Sequence, residues 1–188
     1  MKQIKENVSP IKCDNYWIRL MNKSDIEQYF NAGFANMDPE MCRLTGTNAA
    51  ASLDSIRRYV LNIVDDDTRY DFLIFDENNI IVGEVVLNEI DWTLRVCNFR
   101  ICIFKESNFG KKIGSVVIPE IIKFGFECLN LHRIELDVFD FNERAIRAYQ
   151  KSGFVIEGQL RKAHLNVDGW HDVILMAILE EDYYSKRQ

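Results

Sequence analysis

The chain has 188 residues, 47% of them hydrophobic, which is enough for one domain, residues 1–188, with a sizeable core of its own. Its 23 basic and 29 acidic residues give a formal net charge of -6, which argues against nucleic acid as a partner because phosphate binding needs a basic face. The start of the chain lacks the apolar stretch of a signal peptide and no apolar run is as long as a membrane span, so we expect a cytoplasmic protein with no membrane partner.

Amphipathic segments and short apolar segments alternate through the first hundred residues. Ser24 and Glu27 have the spacing of a capping box, and apolar side chains recur after them at helical intervals. Pro39, Gly46 and a run of alanines indicate a loop before the next amphipathic segment. The predicted elements are a strand at 16–20, a helix at 24–34, a loop at 38–51, a helix at 53–63, strands at 72–75 and 80–90 joined by a turn, and a strand at 94–104.

Helices and strands also alternate in the second half. The apolar segment at 114–131 is too long for a strand and predicts a helix, which Pro119 should bend or shift to a later start. Asn142 is a favoured N-cap, and Gly153 lies where a helix commonly ends in a left-handed residue. The predicted elements are a helix at 114–131, a strand at 132–139, a helix from 142 to 153, and strands at 155–165 and 170–179.

Metal and disulfide chemistry are not indicated. The five cysteines form no C-x-x-C pair, and one is left over when they are paired. His132, His164 and His171 lack the close spacing of a helical metal site, and alternating strands would scatter them. We therefore expect no metal centre.

One loop has the features of a phosphate site. A strand, a basic loop with glycine and a helix N-terminus follow one another, so that free backbone N–H groups and the positive end of the helix dipole point outward together. The alternative is an ordinary strand-to-helix turn with solvated lysines. The residues of this loop are Phe109, Gly110, Lys111, Lys112, Ile113, Gly114 and Ser115.

The chain from residue 109 to residue 182 resembles the GNAT superfamily of N-acetyltransferases, within it the branch of RimJ/RimL-like and spermidine acetyltransferases. The matches occur in family order with family-like gaps, whereas the first hundred residues match in element order alone. The matching residues are 129–134, Asn142, 144–146, 149–154, 157–158, 160–161, 168–169, 171–172 and Met176.

This resemblance implies a fold, a cofactor and a set of contacts. The fold is α/β (α+β), with a mixed, mostly antiparallel central sheet splayed into a V and helices on both faces. The cofactor is acetyl-CoA (coenzyme A), whose acetyl-pantetheine arm lies in the gap beside backbone groups of Cys102 and Phe104 and whose pyrophosphate is wrapped by the loop at 109–115. Asn142 contacts the arm, caps its helix, or does both.

Lys112 departs from the family pattern. The family usually has a glycine two residues before Gly114, and glycine tolerates a positive φ and close approach of the backbone to a ligand. A lysine must adopt an ordinary α conformation there or accept strain. Its charge would add to the attraction for phosphate, but the substitution also makes a non-catalytic acyl-CoA sensor a serious alternative.

Acetyl transfer to an amine requires management of two protons. Glu84, Glu89 and His164 are candidate bases for the acceptor ammonium; the alternatives are a salt-bridged strand carboxylate for Glu84 and a half-exposed strand histidine for His164. Tyr149 corresponds to a family tyrosine near the cofactor sulfur, where its hydroxyl stabilises the developing thiolate. Its alternative role is core packing. The candidate catalytic residues are thus Tyr149, Glu84 and His164.

The sequence leaves the acceptor open. The main hypothesis is transfer to a peptide N-terminus, a polyamine or another small amine, and the second enzyme hypothesis is an aminoglycoside-type drug acetyltransferase. Acidic residues at 65–67 and at Glu84, Glu89 and Asp91 would suit either cationic acceptor, so they do not discriminate. A homodimer is also considered.

Overall fold

The computed structural model describes residues 5–47 and 50–185, and an eight-stranded sheet runs through this part of the chain. The strand order is β1-β2-β3-β4-β5-β6-β8-β7. The strands are β1 (Ile11–Cys13), β2 (Tyr16–Leu20), β3 (Tyr70–Phe75), β4 (Ile81–Asp91), β5 (Val96–Ile103), β6 (Arg133–Phe139), β7 (Val155–Asn166) and β8 (Gly169–Leu179).

Helices cover both faces of the sheet. The sequence 124–128 continues α4 as one turn of π-helix, and short 3₁₀ turns precede α1 and follow β5. The α-helices are α1 (Ile26–Gly33), α2 (Pro39–Thr45), α3 (Leu53–Ile63), α4 (Ile113–Lys123), α5 (Glu143–Ser152) and α6 (Glu180–Ser185).

The sheet opens between β5 and β6. Every neighbouring pair of strands is antiparallel except β5 and β6, which run parallel and pair only at 96–98 with 133–135. Beyond Asn98, β5 stays paired with β4 as far as Ile103, while β6 stays paired with β8 as far as Phe139. The two halves therefore diverge, and the V-shaped, mixed and mostly antiparallel sheet expected from the resemblance is confirmed.

Two hydrophobic clusters hold the helices on the two faces. One joins α1 and α3 to side chains such as Leu73 and Phe104, and the other joins α4 and α5 to side chains such as Phe72 and Phe99. The alternation of Ile134, Leu136 and Val138, all buried, fixes which face of β6 meets the second cluster. The opening of the V lies between these clusters.

Most of the predicted elements are confirmed, with differences of a few residues at their ends. The helix at 114–131 is α4 and its π-helical extension; it begins at Ile113, so Pro119 does not delay its start. Asn142 accepts a hydrogen bond from the amide of Ala145 at 3.2 Å, and Gly153 has a φ of 108°, as expected of an N-cap and a left-handed C-cap.

Two sequence predictions are wrong. The capping box uses Asn22 and Asp25 rather than Ser24 and Glu27. Residues 39–45 of the predicted loop form α2, in which Asp38 accepts hydrogen bonds from two first-turn amides and Gly46 ends the helix at a φ of 68°. Ala49, also in the predicted loop, lies outside the described residues. Among the residues that are described, no helix is long and apolar enough to cross a membrane.

Candidate active site

The opening of the sheet forms a cavity of about 740 Å³. It runs from the N-terminus of α4, past the diverging end of β5, to the space beneath α1 and α3. Most of the residues proposed from the sequence line it. They are Glu84, Cys102, Phe104, Phe109, Gly110, Lys112, Ile113, Gly114, Ser115, Asn142 and Tyr149.

The N-terminus of α4 presents unused amides to this cavity. Its N-cap, Lys112, makes no side-chain hydrogen bond to the first turn, and the first amide that bonds back to it belongs to Val116. The amides of 113–115 therefore lack intrahelical partners, as at any helix start. A Cβ built on Gly114 would meet only Ile118, at 3.5 Å, so the space in front of these amides is open.

Lys112 holds the loop in a conformation that glycine adopts more easily. Its φ is 63° and its ψ is 13°, so of the two outcomes considered for a lysine here the structure has the strained one. Gly110, two residues earlier, has a φ of 76°. The two left-handed residues bring the chain round to the start of α4.

Basic side chains surround the same end of the cavity. Arg144 lies over the ring of Phe109, with its guanidinium carbon 4.1 Å from the ring centroid, and Arg147 and Lys151 follow on the same helix, α5. Lys111, in contrast, is absent from the lining and donates a hydrogen bond to Asn108 at 2.8 Å. Open amides with four lining cations, Lys112 included, fit a diphosphate group.

The backbone of β5 faces the gap at different residues from those proposed. The amide of Phe104 donates to the carbonyl of Val82 at 3.0 Å, so it is not free for a ligand. Cys102 lies opposite Glu84 in the same antiparallel register, and backbone groups point to alternate sides along a strand. The gap therefore receives the N–H and C=O groups of Ile101 and Ile103, and the proposed backbone contacts at Cys102 and Phe104 are corrected to these two residues.

Glu84 lies at the end of the cavity nearest α1. The hydroxyl of Tyr29 donates a hydrogen bond of 2.6 Å to its Oε2 atom. Burial raises the pKa of Glu84, although this hydrogen bond and the positive charge of Arg100 act in the opposite direction. A carboxylate with a raised pKa is a better proton acceptor than an ordinary one.

Tyr149 lies on the opposite side of the gap, on α5. It is 7% exposed and packs edge-on against Phe99 and Phe154, with ring centroids 6.0 and 5.7 Å away. Burial, with a smaller effect from the charge of Asp137, raises the pKa of Tyr149, so the phenol keeps its proton at neutral pH. No side chain in the described part of the chain hydrogen-bonds to this hydroxyl.

His164 is not brought to the cavity. Its ring stacks on Phe139, with centroids 3.9 Å apart and an angle of 19° between the planes, and a Cβ on Gly46 would lie 3.6 Å from it. Phe139 lines the cavity and separates His164 from it. The other two histidines are held elsewhere, His171 by Asp168 and Asp140, and His132 by Glu180. Within 5–47 and 50–185, no cluster of three potential ligands is placed to hold a metal ion.

The acidic residues invoked for a cationic acceptor do not gather at the cavity. Of that set only Glu84 lines it. Lys23 pairs with Asp65 at 2.8 Å, Asp66 accepts from Thr68, and Asp91 accepts from the backbone of the next turn. The expectation that these carboxylates together suit a cationic acceptor is not supported by their positions.

Sequence reasoning missed several residues that line the cavity. The sequence patterns assigned no functional role to Tyr29, Arg100 or Asp137. Their roles depend on strand register and on contacts between distant segments: Tyr29 and Glu84 are 55 positions apart. Only the basic residues of α5 carried a signal, because they follow Asn142 on the helix that the resemblance had already identified.

Comparison with known proteins agrees with this geometry. Residues 16–155 match the family described as Acetyltransferase (GNAT) domain. A spermidine N(1)-acetyltransferase of Vibrio cholerae is 30% identical over 137 residues, which are 73% of this chain and 79% of that protein.

Solved structures show the same likeness. The crystal structure of the Vibrio cholerae spermidine N-acetyltransferase in complex with CoA and spermine has a TM-score of 0.81 at 26% identity, covering 90% of this chain and 98% of that one. A dodecameric structure of the enzyme from the same organism has a TM-score of 0.77 at 25% identity, covering 93% and 99%. The chain therefore belongs to the GNAT acetyltransferase family and is an N-acetyltransferase that uses acetyl-CoA.

Proposed function

We propose that the cavity transfers an acetyl group to a small primary amine whose ammonium group loses its proton to Glu84. The observation that carries this proposal is the hydrogen-bonded pair of Glu84 and Tyr29 at the far end of the cavity from the basic loop. An alkylammonium with a pKa near ~10.4 must be deprotonated before it can attack. The raised pKa of Glu84 reduces the difference between the pKa of the ammonium group and that of the carboxylate that accepts its proton.

Acetyl-CoA supplies the activated acetyl thioester when it is bound. The open amides of 113–115 and the cations on α5 would hold its diphosphate, and the free backbone groups of Ile101 and Ile103 would align its pantetheine arm. Tyr149 keeps a proton on its hydroxyl and presents it to the cavity. Its role is to stabilise negative charge on the leaving sulfur by a hydrogen bond, since a phenol with a raised pKa gives up its proton poorly.

Glu84→Gln tests the base. We expect kcat to fall roughly 10²- to 10⁴-fold, the usual contribution of a general base, with little change in acetyl-CoA affinity. Glu89→Gln is the matched control, because Glu89 is an exposed carboxylate on the same strand and does not line the cavity. His164→Gln should retain activity; if it abolishes turnover while Glu84→Gln does not, the proton acceptor is misassigned.

Two measurements identify the acceptor and test whether the protein is instead a non-catalytic acyl-CoA sensor. A polyamine is supported by the likeness to spermidine acetyltransferases, whereas nothing specific in the cavity favours an aminoglycoside. Calorimetry with acetyl-CoA and thiol release with a panel of amines are the decisive assays. Binding without thiol release for any amine would support a non-catalytic acyl-CoA sensor and contradict the proposed function.

Self-association is proposed through the tip of the hairpin formed by β7 and β8. The side chains of Leu165 on β7, Val167 in the turn and Trp170 on β8 are 58%, 98% and 60% exposed there, and an apolar surface of this kind favours contact with a second copy. Light scattering on the protein and on Trp170→Glu measures it: a homodimer should dissociate in the variant. The cytoplasmic location stays a prediction.

A further inference from the structure

A guanidinium group at the acceptor end of the cavity has Glu84 as its neighbouring carboxylate but makes no close ion pair with it. Arg100, on β5, lines the cavity and is exposed to it. Within residues 5–47 and 50–185, no carboxylate oxygen lies within 4.0 Å of its nitrogens. A planar group with five N–H donors is therefore open toward the cavity on at least part of its edge.

The nearest comparable arginine is already neutralised. Arg69 makes a two-pronged contact with Asp71, at 2.8 and 2.7 Å, and donates a third hydrogen bond to the hydroxyl of Tyr59 at 2.9 Å. Asp71 is 5% exposed and is committed to this pair. Asp71 is thus used by Arg69, and the groups that act on Arg100 are the charge of Glu84 and the hydroxyl of Tyr59.

Strand register places Arg100 beside the proposed base. Glu84 lies opposite Cys102 and Arg100 lies opposite Val86, so Glu84 and Arg100 are diagonal neighbours on one face of the sheet. Diagonal neighbours on adjacent antiparallel strands are about 7–8 Å apart. The guanidinium would therefore be within reach of a carboxylate attached close to an amine that is held at Glu84.

The charge of Arg100 would repel an ammonium group of a linear polycation. The described acidic residues in the lining are Glu84 and Asp137, and Arg100 is the cation at the acceptor end, since Lys112, Arg144, Arg147 and Lys151 lie at the phosphate end. A polyamine carries ammonium groups along its length and has nothing to pair with Arg100. A carboxylate would pair with it, because guanidinium and carboxylate form short, two-pronged hydrogen bonds.

We propose that the acceptor is an amino carboxylate, a free amino acid or a close relative, whose amine lies at Glu84 and whose carboxylate pairs with Arg100. The inference rests on the proposed function, because it takes the acceptor amine to be deprotonated by Glu84. It goes further by making Arg100 the residue that selects the acceptor class. Arg100 does not itself exchange a proton, although its charge favours the ionised form of Glu84.

Amino acids and their decarboxylated amines form matched substrate pairs. Ornithine with putrescine, lysine with cadaverine, and phenylalanine with phenethylamine differ within each pair only by the carboxylate. We expect the wild-type protein to favour the amino acid in at least one pair by 10-fold or more in kcat/KM, measured by thiol release. Preference for the amine in every pair, or for spermidine over all the amino acids, would overturn the inference and leave the proposed function standing.

Variants of Arg100 separate charge recognition from structural damage. Arg100→Gln should lower kcat/KM for the favoured amino acid at least 10-fold more than kcat/KM for its decarboxylated amine, because any effect on the pKa of Glu84 is common to both substrates. Arg100→Lys should retain part of the preference. Arg58→Gln is the control, since Arg58 is exposed on α3 and does not line the cavity. Equal losses for both members of a pair would show that Arg100 is structural and contradict the assignment.

A binding measurement covers the case in which no turnover is found. Ornithine, lysine and phenylalanine are each tested without acetyl-CoA, and at least one of them should raise the melting temperature of the wild-type protein and of Arg58→Gln but not that of Arg100→Gln. Such a shift without thiol release supports the anion site and contradicts the proposed catalytic function. The same shift in Arg100→Gln, or none in the wild type, overturns the inference.

Discussion

Gly114 offers the sharpest test of where the diphosphate binds. A Cβ at this position would contact only Ile118, at 3.5 Å, which is ordinary van der Waals distance, and Gly114 has no left-handed φ that would strain an alanine. Gly114→Ala should therefore fold normally, and the gain in helix propensity should stabilise it by at most ~1 kcal/mol, or about 2–4 °C in Tm. Gly114 lines the cavity, however, so the added methyl group would reduce the space beside the free amides of the first turn.

The expected cost falls on the ligand. Losing one hydrogen bond from an amide to a charged oxygen costs ~1.5–3 kcal/mol, so Kd for CoA should rise roughly 10- to 100-fold. Calorimetry gives Kd and thermal denaturation gives Tm for the same samples; Gly114→Val should bind still more weakly. Gly158→Ala is the matched control, because its Cβ would meet only Leu175 at 3.8 Å, away from the cavity. Unchanged affinity in Gly114→Ala would refute the placement of the diphosphate at α4.

Three further changes test the remaining roles. Tyr149→Phe should lower kcat ~10- to 100-fold with unchanged CoA affinity, since it removes one hydrogen bond to a charged atom; a large affinity loss would mean that the ring is structural. Tyr29→Phe removes a hydrogen bond that favours the ionised form of Glu84, so the pKa of Glu84 should rise further and the acid limb of the kcat/KM profile should move to higher pH; an unmoved limb would exclude Glu84 as the base. Lys112→Gly should be more stable than Lys112→Ala by up to ~1 kcal/mol in thermal denaturation, because only glycine relieves a φ of 63°. Equal stability of the two variants would mean that the loop is not strained. An equal loss of CoA affinity in both variants would measure the contribution of the lysine charge alone.

Prediction from sequence succeeded where a periodic pattern decided the structure and failed where boundary residues were ambiguous. Pro39 and Gly46 were taken as loop markers, yet proline is favoured at the first position of a helix and glycine just after its end. Pro39 and Gly46 mark the two ends of α2, and Asp38 supplies its N-cap. A short helix between such residues contributes too few apolar positions for its period to be visible.

The candidate site was harder to predict because its chemistry depends on pairing between strands. The loop at 109–115 was found because contiguous residues form it. The backbone contacts of β5 were placed one residue out of phase, since only the register with β4 shows which groups are already used. A shift of one residue reverses the side to which every group points. Tyr29 and Arg100 were missed for the same reason, because neither has a partner near it in sequence.

The divergence of β5 from β6 after Asn98 links the two halves of the proposed chemistry. If these strands paired along their full length, the backbone groups of Ile101 and Ile103 would be used within the sheet and the cavity would be closed. Because they part, the same stretch of β5 has free backbone groups on one edge and carries Arg100 and Cys102 on the face shared with Glu84. Tyr149 reaches the gap from the opposite cluster. Glu84 and Tyr149 therefore line one cavity from opposite sides of the gap. In the proposed reaction Glu84 accepts the proton of the amine while Tyr149 donates a hydrogen bond to the leaving sulfur.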